Sequence, residues 1–218
     1  TDCRIPIGSD LPAPADPDAD LRPRLGSSGI RADGRQPDRW RIRNPHVGAM
    51  EKIAPVVYQA VISSEDGKFC SHDGVDWAAV NLVVDDLIEG ERPRGASTVT
   101  MQTVKNLYLW SSRSYLRKFL EVPLALYVDA IWSKQRTMEI YLNIAQWGPG
   151  IYGIEAAARH HFKRSARKLS RAQAALLAVT LPNPILRNPR KPNRGMRRLA
   201  KLVEERSRQS GAYIRCLQ

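Results

Sequence analysis

Cysteine, histidine and long apolar runs are all scarce in this chain. Its three cysteines, Cys3, Cys70 and Cys216, make an odd count with no paired metal spacing, which argues against a disulfide scaffold or a zinc site. Cys70 therefore reads as a small, partly buried thiol. There are four histidines, and the neighbours His160 and His161 point to different sides of a helix, so they form no metal pair. No apolar run reaches the roughly 18 residues that a membrane span needs. The longest candidate, residues 122–132, is interrupted by Pro123 and Asp129. Alternating strand patterns and internal repeats are also missing.

What is abundant is positive charge. The 34 Lys and Arg residues outnumber 22 Asp and Glu, a net charge of +12 on 218 residues. Such an excess suits a polyanion or an anionic membrane surface. Zinc-finger spacing, RNA-binding aromatic motifs and a DNA-reading helix are all absent, so nucleic acid is not the expected partner.

Residues 1–39 hold six of the fifteen prolines and almost no apolar periodicity. Such a composition buries too little surface to offset the entropy of ordering, and predicts a disordered or extended leader. Residues 40–218 form the expected single domain, with one sizeable core. Helices are predicted over 75–89, 98–109, 114–132, 137–144, 154–162 and 193–207. Ser170-Arg171-Ala172-Gln173 reads as a capping box before the apolar run 174–181, which Pro182 stops. In the helix over 75–89, Val75, Ala78, Ala79, Leu82, Val83 and Leu87 share one face. The fold class is mainly α.

Two segments carry the chemistry. The first, residues 62–76, gathers Glu65, Asp66, His72 and Asp76 around Phe69 and two glycines. A helix that breaks at Gly67 leaves Glu65 at a negative helix end beside Asp66, and both oppose its ionisation. A carboxylate with raised proton affinity is a usable base near neutral pH. The second segment, residues 95–107, opens a helix with small and hydroxylated residues, Ser97 and Thr98 among them, and exposes N–H groups that suit an anion. Gln102, Lys105 and Asn106 follow, then Arg113, Arg117 and Lys118 around Glu121. Each segment also has a plain structural reading, as a solvated acidic helix end and as a capped helix with a solvated cationic face.

Taken in order, Glu65-Asp66-x-x-Phe69-x-x-His72-x-Gly74, Gly95-x-Ser97-Thr98-x-Thr100-x-Gln102 and Arg117-Lys118-x-x-Glu121 resemble the motifs of the peptidoglycan glycosyltransferases. Two further pieces agree: Lys134 followed by Glu139-Ile140-Tyr141-Leu142-Asn143, and Gly150-Ile151-Tyr152-Gly153-Ile154-Glu155 with three alanines after it. The likeness is strongest to the monofunctional biosynthetic branch and covers the chain from about Trp40 onward. One departure is visible. Met101 stands where the family has the first of two glutamines, so it is expected to make an altered substrate contact, and Met101→Gln to preserve or raise activity.

The resemblance implies a lysozyme-like domain, with a larger and a smaller, membrane-proximal lobe flanking a cleft. It implies an inverting polymerase that extends glycan strands from lipid II, the lipid-linked disaccharide-pentapeptide, without cross-linking them. In that reading Glu65 is the base on the acceptor 4-hydroxyl and Glu121 organises the groups near the diphosphate. Asp66, Phe69, His72, Ser97, Thr98, Gln102, Lys105, Asn106, Arg113, Arg117 and Lys118 are the candidate substrate-binding residues. A divalent cation, Mg or Mn, is the candidate cofactor, with no ligand set assigned. Implied partners are lipid II, the growing strand, an anionic membrane surface and cell-wall synthesis or division proteins. The implied location is the periplasmic side of a bacterial inner membrane, with an anchor that these residues do not contain.

From the residues alone, Phe69 and Trp77 read as core, and His72 as a hydrogen-bonded scaffold residue rather than a second base. Ser165-Ala166-Arg167-Lys168 fits the Ser-x-x-Lys pattern of acylating enzymes, but lacks the companion motifs and is assigned no chemistry. Two other functions fit parts of the pattern. One is a glycan-cleaving enzyme on the same helical fold, which also needs a glutamate in a cleft. The other is a non-catalytic basic module at the membrane or in cell-wall assembly. The cations after Gly95 disfavour cleavage, because a neutral glycan needs no phosphate clamp, and intact Glu65 and Glu121 disfavour the non-catalytic module.

Overall fold

Five helices start at a residue whose side chain accepts an N–H of the first turn. Pro55 occupies the first turn of α1 (Pro55–Glu65), where the N–H it lacks has no partner to lose. Asp76 caps α2 (Trp77–Ile88), Thr98 caps α3 (Val99–Tyr108), and Ser133 caps α5 (Lys134–Ile144). The capping box of Ser170 and Gln173 opens α7 (Arg171–Ala178), and Asn193 caps α8 (Arg194–Arg208). The other helices are α4 (Tyr115–Ile131) and α6 (Ile154–Phe162). The computed structural model describes residues 48–91, 95–110 and 115–217. The expected leader, Arg113 and Cys3 lie outside the described residues.

Two apolar cores organise these helices. The larger joins Val57, Ala60, Val61 and Ile62 of α1 to the alanines and leucines of α7 and to Met196, Ala200 and Val203 of α8. The smaller contains Val75, Met101, Val104, Ala125 and Val128. Helix α3 serves both: Val99 enters the larger core, Met101 and Val104 the smaller, and the helix packs on α4 and on α5. The chemistry-bearing residues of α3 therefore sit at the seam of the two cores.

Two glycines are required where backbone approaches backbone. Gly74 has φ +81°, and a Cβ there would lie 2.5 Å from the carbonyl oxygen of Ala125 on α4. Gly153 has φ +82°, and a Cβ would lie 2.8 Å from the oxygen of Asn143. Only glycine meets both demands at such positions.

Several expectations need correction. A short antiparallel hairpin, β1 (Gln146–Gly148) and β2 (Ile151–Tyr152), joins α5 to α6. Its strands are too short for an alternating pattern to register. Cys70 is not a free thiol: it is bonded to Cys216 across 146 residues of chain, tying the 3-10 turn Ser210–Leu217 to the loop after α1. The apolar face of α2 faces outward, with Ala78, Leu82 and Leu87 exposed, and Trp77 is 53% exposed rather than core.

Candidate active site

Glu65 is the last residue of α1 and is half-buried at the seam of the two cores. The side-chain amide of Gln102 donates to its Oε2 at 3.2 Å, and the hydroxyl of Ser64 donates to Oε1 at 3.3 Å. The amide oxygen of Gln102 in turn accepts from the hydroxyl of Tyr141 on α5 at 3.0 Å. Burial pushes the Glu65 carboxyl above its ordinary pKa. The hydrogen bonds from Gln102 and Ser64 and the charges of Arg187 and Lys105 pull it only part of the way back. The direction is the expected one, and its largest cause is burial.

Asp66 has a different task. Its buried carboxylate accepts the backbone N–H of Val99 at 2.9 Å and binds His72 Nε2 at 3.0 and 3.1 Å. It thus closes the first turn of α3 and orients the loop that follows α1. Thr98 caps the same helix, accepting from the Met101 N–H and donating to the Gly74 carbonyl at 2.6 Å. Phe69 is fully buried in the larger core, with the Lys134 ammonium 5.0 Å from its ring centre. Asp66, Phe69, Thr98 and His72 therefore shape the site from behind rather than line it. The burial of Phe69 agrees with its reading as core from the residues alone, and speaks against the substrate-binding role that the resemblance implies.

Lys134 links the motifs further. Its ammonium donates to the His72 carbonyl at 2.5 Å and to Asp129 on α4 at 2.7 Å. Glu139 and Asn143, one turn apart on α5, hold the backbone of Met50 and Gly48. These motif residues are braces, and their signal in the sequence reflects architecture.

The second cluster forms around Glu121, which is 3% exposed. Lys118 Nζ lies 2.9 Å from Glu121 Oε2 and donates to the hydroxyl of Ser97 at 2.8 Å. Arg117 Nε is 3.3 Å from Oε1, a charge contact without hydrogen-bond alignment. The Lys118 side chain is half exposed, so one cation of the cluster faces solvent while its carboxylate partner is buried. Lys105 and Asn106 are half-buried on α3.

Sequence reasoning missed one contributor. Arg187, in the loop after α7, donates to the Val179 carbonyl at 2.6 Å and places its charge near Glu65. Its only sequence signal is a basic residue inside a proline-rich loop. Met101, by contrast, is 1% exposed and packs in the smaller core, which speaks against the altered substrate contact expected of it.

No three His, Cys, Asp or Glu residues converge to hold a metal ion among the described residues. Glu121 already has both oxygens against cations. These groups do not fit a protein-held divalent ion.

Comparison with known proteins places this arrangement. The transglycosylase family matches residues 35–208. A protein of Brucella suis biovar 1, named biosynthetic peptidoglycan transglycosylase, is 65% identical over 169 residues, which cover 78% of this chain and 75% of that protein. Proteins of the same name from Rhizobium meliloti and Mesorhizobium japonicum are 64% identical over 167 residues and 63% identical over 171 residues. Those matches cover 77% and 78% of this chain, and 71% and 72% of the relatives. With a family match across most of its length and relatives this similar, the chain belongs to the transglycosylase family.

Proposed function

We propose that this chain polymerises peptidoglycan glycan strands, taking the growing strand from a lipid-linked diphosphate donor and joining it to the 4-hydroxyl of lipid II with inversion. The observation that carries the reading is the half-buried Glu65, whose carboxylate is aimed by Gln102 and whose proton affinity is raised by burial. Such a group accepts the proton of an attacking hydroxyl near neutral pH. The new bond forms at the anomeric carbon of the donor while the carbon–oxygen bond to the diphosphate breaks on the opposite face. The hydroxyl proton passes to Glu65 and the bonding electrons leave with the diphosphate.

A diphosphate leaves as a stable anion and needs charge stabilisation more than a proton donor. Lys118 is the accessible cation for this, held in place by Glu121 and Ser97. Glu121, buried between Arg117 and Lys118, sets the geometry of those cations. Lys105 and Arg113 complete the proposed diphosphate-binding set.

The face formed by α2 and α4 is proposed to rest against the membrane. Twelve of the seventeen exposed large apolar side chains among the described residues fall between Trp77 and Ile131. On α4, Leu116, Phe119, Tyr127 and Ile131 face outward, whereas Asp129 turns inward to Lys134. An outward apolar face near cations suits the headgroup boundary of an anionic bilayer. The Cys70–Cys216 bond supports an oxidising compartment such as the periplasm. No described helix is long and apolar enough to cross a membrane.

The test is incubation with purified lipid II and separation of the glycan products by gel. The parent should build a ladder of strands, and Glu65→Gln should lower turnover by about 10²-fold or more while keeping the fold. Turnover of Glu65→Gln within a few-fold of the parent would remove Glu65 from the mechanism.

A further inference from the structure

Tyr141 lies on α5 with its side chain wholly buried, and its hydroxyl donates to the Gln102 amide oxygen at 3.0 Å. The nitrogen of the same amide donates to Glu65 at 3.2 Å. A carboxamide presents a donor at one end and an acceptor at the other, and a half-turn about its last bond exchanges them. We propose that Tyr141 is a positioning residue for Glu65: its hydroxyl holds the Gln102 amide so that the N–H, and not the oxygen, meets the carboxylate. This deepens the reading of Glu65 as the base and rests on it.

The chemistry follows from what each group can offer. An ionised carboxylate only accepts, so it matches the N–H end of the amide. A protonated Glu65 would match the oxygen end, because it could then donate. Reaching that state requires turning the amide, which takes the oxygen away from Tyr141 and leaves a buried phenol without an acceptor. Tyr141 thus opposes protonation of Glu65 from one residue further out. Burial, reinforced by the charges of Glu65 and Asp66, keeps the phenol protonated well beyond its ordinary range, so it remains a donor throughout. The other groups facing Glu65 are Ser64 on α1, Lys105 on α3 and Arg187 beyond α7. They too favour its ionised form, but none depends on which way the amide lies.

The experiment follows the Glu65 carboxyl directly. Protein carrying 13C-labelled glutamate is titrated by NMR, with the Glu65 signal assigned by its loss in Glu65→Gln. In Tyr141→Phe the midpoint should rise by roughly half a pH unit or more, about threefold in proton affinity, and the acidic limb of the kcat profile should move with it. Gln102→Met should produce a similar rise, and adding Tyr141→Phe to it should produce no more. An unmoved midpoint in folded Tyr141→Phe would overturn the proposal, as would the same added rise in the Gln102→Met background. Should Tyr141→Phe fail to fold, 3-fluorotyrosine placed at position 141 keeps the shape and strengthens the donor. The Glu65 midpoint should then fall, and an unchanged or higher value overturns the proposal. The titration does not depend on turnover, so it judges Tyr141 even where Glu65→Gln proves active and the base assignment fails.

Discussion

The carboxylate of Asp66 accepts the backbone N–H of Val99 at 2.9 Å, so the end of α1 that carries Glu65 is tied to the start of the helix that carries Gln102. The same carboxylate holds His72, whose Nδ1 has no hydrogen-bond partner of its own. Asp66→Ala should therefore leave two buried N–H groups unsatisfied, at a cost of about 1–3 kcal/mol each. Chemical denaturation should show that loss. Turnover of the folded fraction should also fall, because Gln102 would no longer be held against Glu65. Asp66→Asn keeps one acceptor oxygen and should fall between. A parent-like midpoint for Asp66→Ala would mean that the two helices are held together without this tie.

Glu65 itself should cost the fold stability where it is ionised. Its folded-state pKa lies above the ordinary value. A raised acid pKa contributes stability below the unfolded value and loses it as pH climbs through the folded value. Glu65→Gln, uncharged at every pH, should then melt higher than the parent at pH 7 to 8, with the gap closing towards pH 4. Thermal melts of both proteins across that range test it. A lower melting temperature for the variant at neutral pH would show that Gln102, Ser64 and the nearby cations outweigh the burial cost.

Much of this site is written locally. Thr98 and the pair Ser170 and Gln173 announce their helices because capping is satisfied within a few residues, whereas α5 starts three residues before the expected 137, behind its cap Ser133. The pairing of Lys118 with Glu121 is one turn of one helix and equally legible. The features that escaped depend on distant parts of the chain. Periodicity shows that α2 has an apolar face, but not that the face looks outward with Leu82 and Leu87 exposed. Cys70 and Cys216 carry no mutual signal across 146 residues, and Arg187 meets Glu65 only through the packing that brings α7 onto α1. Asp66 and Phe69 stand inside a motif whose resemblance implies substrate binding, whereas both side chains are buried and brace the site.

Met101 shows the same confusion of motif with contact. It fills the smaller core beside Val75, Val104, Ala125 and Val128. Met101→Gln would put an amide there in place of a thioether. Without partners for the new polar atoms this should cost about 1–3 kcal/mol. The melting temperature should fall, and activity at the higher end of the working temperature range should fall with it. An unchanged melting temperature with raised turnover would restore the substrate-contact reading.

The Cys70–Cys216 bond joins the loop carrying Phe69 and His72 to the last turn of the described chain. It closes a long loop in the unfolded state, and removing it should cost about 2–4 kcal/mol. Dithiothreitol should lower the melting temperature of the parent and leave that of Cys70→Ser, Cys216→Ser unchanged. If the parent melts alike with and without reductant, the bond contributes nothing to the fold.

The outward face of α4 separates lipid contact from core packing. Phe119 is 74% exposed and Ile131 lies on the same side, while Leu124 packs against the smaller core. Co-sedimentation with anionic and with neutral liposomes should show two components. The electrostatic one fades as salt shortens the screening length, and the apolar one persists. Phe119→Ser with Ile131→Ser should abolish the persistent part and leave the melting temperature within a few degrees of the parent, since surface changes rarely exceed about 0.5 kcal/mol. Leu124→Ser should do the reverse, lowering stability through the smaller core while the folded protein still binds lipid. If the parent ignores both kinds of liposome at low salt, the exposed face of α4 is not a lipid surface.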